Sequence, residues 1–95
     1  MITHVVLFKL KDNTKKNIER TRRMLLALKD RIPVLRSFEV GVDIIRSERS
    51  YDLALIARFD TPEDLDAYRV HPDHVNVVDF IAQVKESATV VDFES

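Results

Sequence analysis

Apolar and polar positions alternate along residues 3–11, with His4, Val6, Phe8 and Leu10 on one face and Val5 and Leu7, then Lys9 and Lys11, on the other. A period of two in a stretch rich in β-branched residues predicts a strand. Both faces are apolar at its start, so this strand is expected in the middle of a sheet covered on both sides. Over residues 14–32 the period changes. Ile18, Thr21, Leu25, Leu28 and Ile32 recur at steps of three and four, while Lys15, Lys16, Glu19, Arg20 and Arg23 fall elsewhere. This pattern predicts an amphipathic helix, opened by the capping residues Asp12-Asn13-Thr14 and ended before Pro33. Alternation returns over residues 35–45, where Phe38, Val40, Val42 and Ile44 oppose Ser37, Glu39, Gly41 and Asp43. It recurs over 51–59, where Tyr51, Leu53, Leu55, Ala57 and Phe59 oppose Asp52, Ala54, Ile56 and Arg58. With the polar connection Arg46 to Ser50 between them, these two strands read as a hairpin.

Thr61-Pro62-Glu63-Asp64 is a helix start: a hydroxyl cap, proline at the first helical position, and acids against the positive end of the helix dipole. Leu65 and Tyr68 then share a face. Proline biases the residue before it away from helical angles, so the helix is expected to break at His71-Pro72, with Asp73 capping a restart. From His74 to about Glu86, His74, Val78, Ile81 and Lys85 recur at helical spacing, and residues 88–94 are expected to form a fourth strand. The order β-α-β-β-α-β predicts an α+β, ferredoxin-like fold, a four-stranded antiparallel sheet with its helices on one face. Helices cover one face, yet Val5, Leu7, Ala54 and Ile56 point to the other. An apolar sheet face is poorly tolerated in water. A second copy packing the same face against it would make an eight-stranded barrel, so a homodimer through sheet faces is expected, with Val5, Leu7 and Ile56 in the interface.

Ninety-five residues suffice for one domain, 1–95, and the 45% hydrophobic and 33% charged shares are those of a soluble globular protein. Fifteen Lys and Arg against 16 Asp and Glu leave a net charge of -1, without the basic excess that nucleic-acid binding uses to replace counterions. No nucleic-acid partner is expected. The absence of cysteine excludes a thiolate nucleophile, a disulfide framework and cysteine metal sites. A single glycine, Gly41, excludes the glycine-rich dinucleotide and phosphate loops. No apolar run is long enough to cross a bilayer, and the first residues lack the form of a secretion signal, so no membrane association and a cytoplasmic location are expected. No cofactor is implied.

The opening His4-Val5-Val6-Leu7-Phe8-Lys9-Leu10-Lys11, the run Tyr68-Arg69-Val70-His71-Pro72-Asp73-His74 and the ending Val90-Val91-Asp92-Phe93 resemble the stress-responsive dimeric A/B barrel (Dabb) family. The resemblance covers nearly the whole chain, and the Y-x-x-H-P-x-H element is its most specific part. It implies a homodimeric barrel in a family that includes plant polyketide (olivetolic acid) cyclase-like proteins alongside stress-related proteins without a settled reaction. In the cyclase-type members a tyrosine and a histidine at the positions matched by Tyr68 and His74 are the catalytic pair, and a histidine at the position of His4 lies in the pocket. This chain departs from them in its first helix, where Thr21-Arg22-Arg23-Met24-Leu25 carries none of the aromatic residues that line the cyclase cavity. A different or smaller ligand is implied.

The residues themselves support a pocket between sheet and helices. His4 shares a strand face with Val6 and Phe8 that should lie under the helices bearing Tyr68 and His74. An imidazole and a phenol together are the usual parts of an acid–base pair that enolises a carbonyl, because imidazole titrates near neutrality. Leu25, Leu28, Val78, Ile81 and Val90 are the expected apolar lining, with His71 near the rim and Arg22 an anion handle if it turns inward. The duller readings are a histidine that satisfies a backbone carbonyl, a tyrosine that is a core aromatic, a His71 that holds the proline turn and a solvated Arg22. His71-x-x-His74 has no third ligand of suitable spacing, so no metal site is expected. Three functions compete: a cofactor-independent cyclase- or lyase-like protein acting on a small carbonyl compound, a non-catalytic stress-related assembly protein, and a cofactor-free monooxygenase-like dimer, disfavoured by the lack of tryptophan.

Overall fold

The computed structural model describes residues 1–95, in the order β1 (Ile2–Leu10), α1 (Lys15–Leu26), β2 (Ser37–Val42), β3 (Leu53–Phe59), α2 (Pro62–Val70), α3 (Pro72–Val84) and β4 (Lys85–Glu94). The four strands form one antiparallel sheet in the order β2-β3-β1-β4, the ferredoxin-like arrangement. β1 is central, paired with β3 from Ile2↔Phe59 to Phe8↔Leu53 and with β4 from Ile2↔Glu94 to Leu10↔Lys85. Directly opposed residues share a face. His4, Val6 and Phe8 therefore lie in rows with Ala57, Leu55 and Leu53 of β3 and with Asp92, Val90 and Ala88 of β4. On this face the helices supply Ile18, Leu25, Leu65, Tyr68 and Ile81 to the core.

Several boundaries differ from the pattern-based expectation, β2 and β3 each beginning two residues late, at Ser37 and Leu53. α1 ends at Leu26 rather than near residue 32, although Leu28 and Ile32 are buried as expected. The chain there tightens into i→i+3 hydrogen bonds, Leu28 to Leu25 and Arg31 to Leu28, which keep the same residues facing inward without continuing the helix. β2 stops at Val42, not at residue 45. Asp43 accepts a hydrogen bond from the Arg46 backbone N–H at 2.6 Å and Arg46 takes a positive φ of 55°, so the chain turns and leaves Ile44 and Ile45 exposed. His71, not Asp73, caps α3: its Nδ1 accepts the Asp73 N–H at 3.1 Å, and Pro72 is the first helical residue. α3 ends at Val84 and β4 begins at Lys85 with no intervening loop, although Lys85 continues the helical spacing of Ile81.

One polar residue ties the hairpin to the central strand. Asp52, buried just before β3, accepts the Leu10 N–H at 2.8 Å and the Asn13 side-chain N–H at 3.3 Å, while its own N–H donates to the Phe8 carbonyl at 2.8 Å. Its carboxylate thus closes the end of the β1–β3 ladder where no backbone acceptor is available. Asp52→Ala should lower stability by about 1–3 kcal/mol, because the buried Leu10 donor is left without a partner. Urea unfolding checks this, and a change under half that size would show that water replaces the carboxylate.

Candidate functional site

Proline at position 72 holds His71 at φ −61°, ψ 133°, extended rather than helical, and this one residue ends α2 and begins α3. The His71 N–H donates to the Tyr68 carbonyl at 3.2 Å, and its carbonyl accepts the Val75 N–H at 2.9 Å, so the joint is fully bonded. Tyr68 consequently sits in the last turn of α2 and His74 in the first turn of α3. Their rings are in tilted contact, with centroids 4.2 Å apart and planes inclined at 44°. The His4 ring approaches Tyr68 edge-on at 6.0 Å, and Phe59 backs Tyr68 at 5.1 Å.

These groups border a cavity of about 290 Å³ between the sheet and the helices. Its apolar wall includes Leu25, Leu28, Val78, Ile81 and Val90, and its polar end holds His4, Tyr68 and His74. His71 is not part of the wall, its ring being committed to the α3 cap. Arg22 is directed away, paired with Glu19 at 3.0 Å on the outer face of α1. Two groups of the polar end went unassigned in the sequence. Asp92 accepts a short hydrogen bond from His4 Nδ1 across the β1–β4 register, and its second oxygen accepts from Arg69 Nη2 at 3.3 Å. The signal for Asp92 was the alternation of β4, which places one carboxylate on the same face as Val90 and Ala88 and opposite His4.

The hydrogen bonds assign the imidazole tautomers. His74 Nδ1 lies 3.0 Å from the Arg69 carbonyl, which can only accept, so Nδ1 carries the hydrogen and Nε2 of the neutral ring keeps a lone pair. Burial lowers the His74 pKa below its ordinary 6.5; the bond to the Arg69 carbonyl opposes this, and the charges of His4, His71 and Arg69 reinforce it. Burial raises the Tyr68 phenol well above its usual 10, so the hydroxyl stays protonated at neutral pH. Tyr68 is 1% exposed and lines the cavity. The polar end therefore offers a neutral base and a neutral donor side by side. No group of three or more His, Cys, Asp or Glu side chains is placed to hold a metal ion.

A family model described as the stress responsive A/B barrel domain matches residues 2–95. The stress-response A/B barrel domain-containing protein DABB1 of Arabidopsis thaliana is 32% identical over 98% of this chain, and the chain spans 46% of that protein's length. A dimeric protein of unknown function with a ferredoxin-like fold from Bacteroides fragilis is 33% identical, with a TM-score of 0.84 over 99% of this chain and 95% of its own. Hydroxynitrile lyase from Passiflora edulis shares the fold, with a TM-score of 0.83 over 97% of this chain and 90% of its own at 15% identity.

The depressed His74 value has a measurable sign. An unfolded imidazole, with a pKa of ~6.5, takes up its proton before the native one does, so the stability linked to His74 is complete above about pH 6.5 and is lost as pH falls through the native value. Titration of the three histidine rings by NMR should place the His74 midpoint below 6.5. A midpoint at or above 6.5 would contradict the burial of its ring.

Proposed function

The chain belongs to the stress responsive A/B barrel domain family, and on that premise we propose that it is a homodimer whose sheet–helix cavity binds a small carbonyl compound and moves a proton at the carbon beside the carbonyl. The observation that carries this reading is the pairing of Tyr68 and His74 at the polar end of one cavity, ring centroids 4.2 Å apart, with complementary protonation states. The Tyr68 hydroxyl donates to the substrate carbonyl oxygen and supports the negative charge that grows there. His74 Nε2 removes the α-proton, and the resulting imidazolium returns it to carbon or to a leaving group. His4, turned by Asp92 so that its Nδ1 is the donor, positions the opposite side of the site. Membership of the same fold by a hydroxynitrile lyase supports proton-transfer chemistry in this architecture.

The dimer reading rests on the other side of the sheet. Val5 and Leu7 of β1, Ala54 and Ile56 of β3, and Val91 and Phe93 of β4 share the face away from the helices, and Val91 and Phe93 are 59% and 46% exposed in the single chain. A second copy on this face leaves the cavity open from the helix side, so assembly and chemistry occupy opposite surfaces of one sheet. We place this dimer in the cytoplasm, where a chain without cysteine loses nothing to a reducing environment.

Exchange of the α-hydrogens of 2-octanone in deuterated water, followed by NMR, tests the chemistry. His74→Ala and Tyr68→Phe should each slow the protein-dependent exchange by about 10²-fold or more. Equal rates in wild type and both variants would leave the non-catalytic assembly protein as the reading. Ile56→Asp tests the interface: sedimentation should show an 11.0 kDa species, and the melting transition should reflect a loss of about 3–5 kcal/mol from an unpaired charge at a buried face. An unchanged dimer and melting temperature would count against this face.

A further inference from the structure

Around the cavity the formal charges are Arg69, Lys85 and Asp92. Asp92 is engaged by His4 and Arg69, and Arg69 also meets Asp66 at 3.5 Å. Lys85 forms no ion pair, which leaves one uncompensated cation on an otherwise apolar wall.

The backbone places it there by an irregularity. Along β4 the cavity face carries Asp92, Val90 and Ala88, so strict alternation would put residue 85 on the free face of the sheet. Between Lys9 and Leu10 the register shifts: Lys9 pairs with Ser87, and Leu10 with Lys85. The extra residue, Glu86, is passed over, and Lys85 returns to the cavity side. Bulges that redirect a side chain recur beside binding sites.

We propose that the cavity takes an aliphatic keto acid, its carboxylate held by the Lys85 ammonium and its ketone presented to Tyr68 and His74. This rests on the acid–base reading of the polar end and names the substrate class for it. Six residue steps along β1 separate the His4–Asp92 pair from the Leu10–Lys85 pair, roughly 20 Å at about 3.3 Å per residue. Side chains reaching inward from both ends shorten that span to a chain of several carbons. The intervening wall of Val78, Ile81 and Val90 offers such a chain only apolar contact. The cavity volume of about 290 Å³ lies at the lower end of the range of small-molecule pockets, ~300–1,000 Å³, which suits a small acid.

Binding of 7-oxooctanoate and of its methyl ester to the intact protein, by calorimetry, tests the anchor, and α-hydrogen exchange in the same ligands tests the reacting end. Wild type should bind the acid about tenfold more tightly than the ester, the factor expected of one charge-assisted contact. Lys85→Gln should bring acid and ester within about twofold of one another, with the fold retained by circular dichroism. His74→Ala should keep the preference for the acid and lose the exchange. Equal binding of acid and ester by wild type, a preference that survives Lys85→Gln, or no binding of either ligand would overturn the anchor. In the wild type, exchange without a preference for the acid would overturn the anchor alone and leave the acid–base reading intact. A preference without exchange would do the reverse.

Discussion

The site depends on β1 being bonded along both edges. Every feature of the cavity floor is set by its register: His4 opposes Ala57 on one side and Asp92 on the other, and Val6 opposes Leu55 and Val90. Because side chains alternate with a period of two, a slip of one residue on either side would move the whole histidine-bearing row to the face away from the helices. Burial resists such a slip. Phe8, Leu53, Leu55, Ala57 and Phe59 are all nearly inaccessible, and they would have to exchange places with Val5, Leu7, Ile56 and Arg58. The same pleat gives the sheet two surfaces with separate tasks, one closed by helices around the cavity and one left apolar.

Above that floor, the geometry of the polar end is produced by a discontinuity. A single uninterrupted helix would place residues 68 and 74 about 240° apart around its axis, at roughly 100° per residue, facing different directions. The break at His71-Pro72 resets the phase, and the two rings come into contact. His71 makes this possible without leaving unpaired backbone groups, since its ring nitrogen takes one of the donors freed at the start of α3.

Much of this was legible from residue order. β1 and β3 alternate cleanly because one face of each is buried under the helices, and the inward set of α1, from Ile18 to Ile32, was visible from its spacing although the helix itself is shorter. The errors have a common cause: periodicity reports which way side chains point, not which hydrogen bonds the backbone makes. Leu28 and Ile32 keep helical phase through tight turns, and Ile44 keeps strand phase beyond the end of the ladder. Lys85 keeps the phase of α3 while already belonging to β4. Tyr68, His74 and His4 stood out in the sequence by residue type and by the resemblance of their segments to the family. Asp92 and Arg69 did not, because the worth of each lies in a partner that only the sheet register or the helix break brings near.

The hydrogen bond between His4 and Asp92 joins residues 88 positions apart, across the strand pair that is most separated along the chain. β4 is the last of the seven elements along the chain, so the partner of one edge of β1 is synthesised after α1, the β2–β3 hairpin, α2 and α3. Closing so long a loop is entropically costly and slow. The cavity cannot acquire its polar end before β4 has been made, and a nascent chain carrying everything up to α3 leaves one edge of β1 without its partner strand. Until β4 docks, that edge is the place where a chaperone, or a neighbouring chain in the same state, has most to grip.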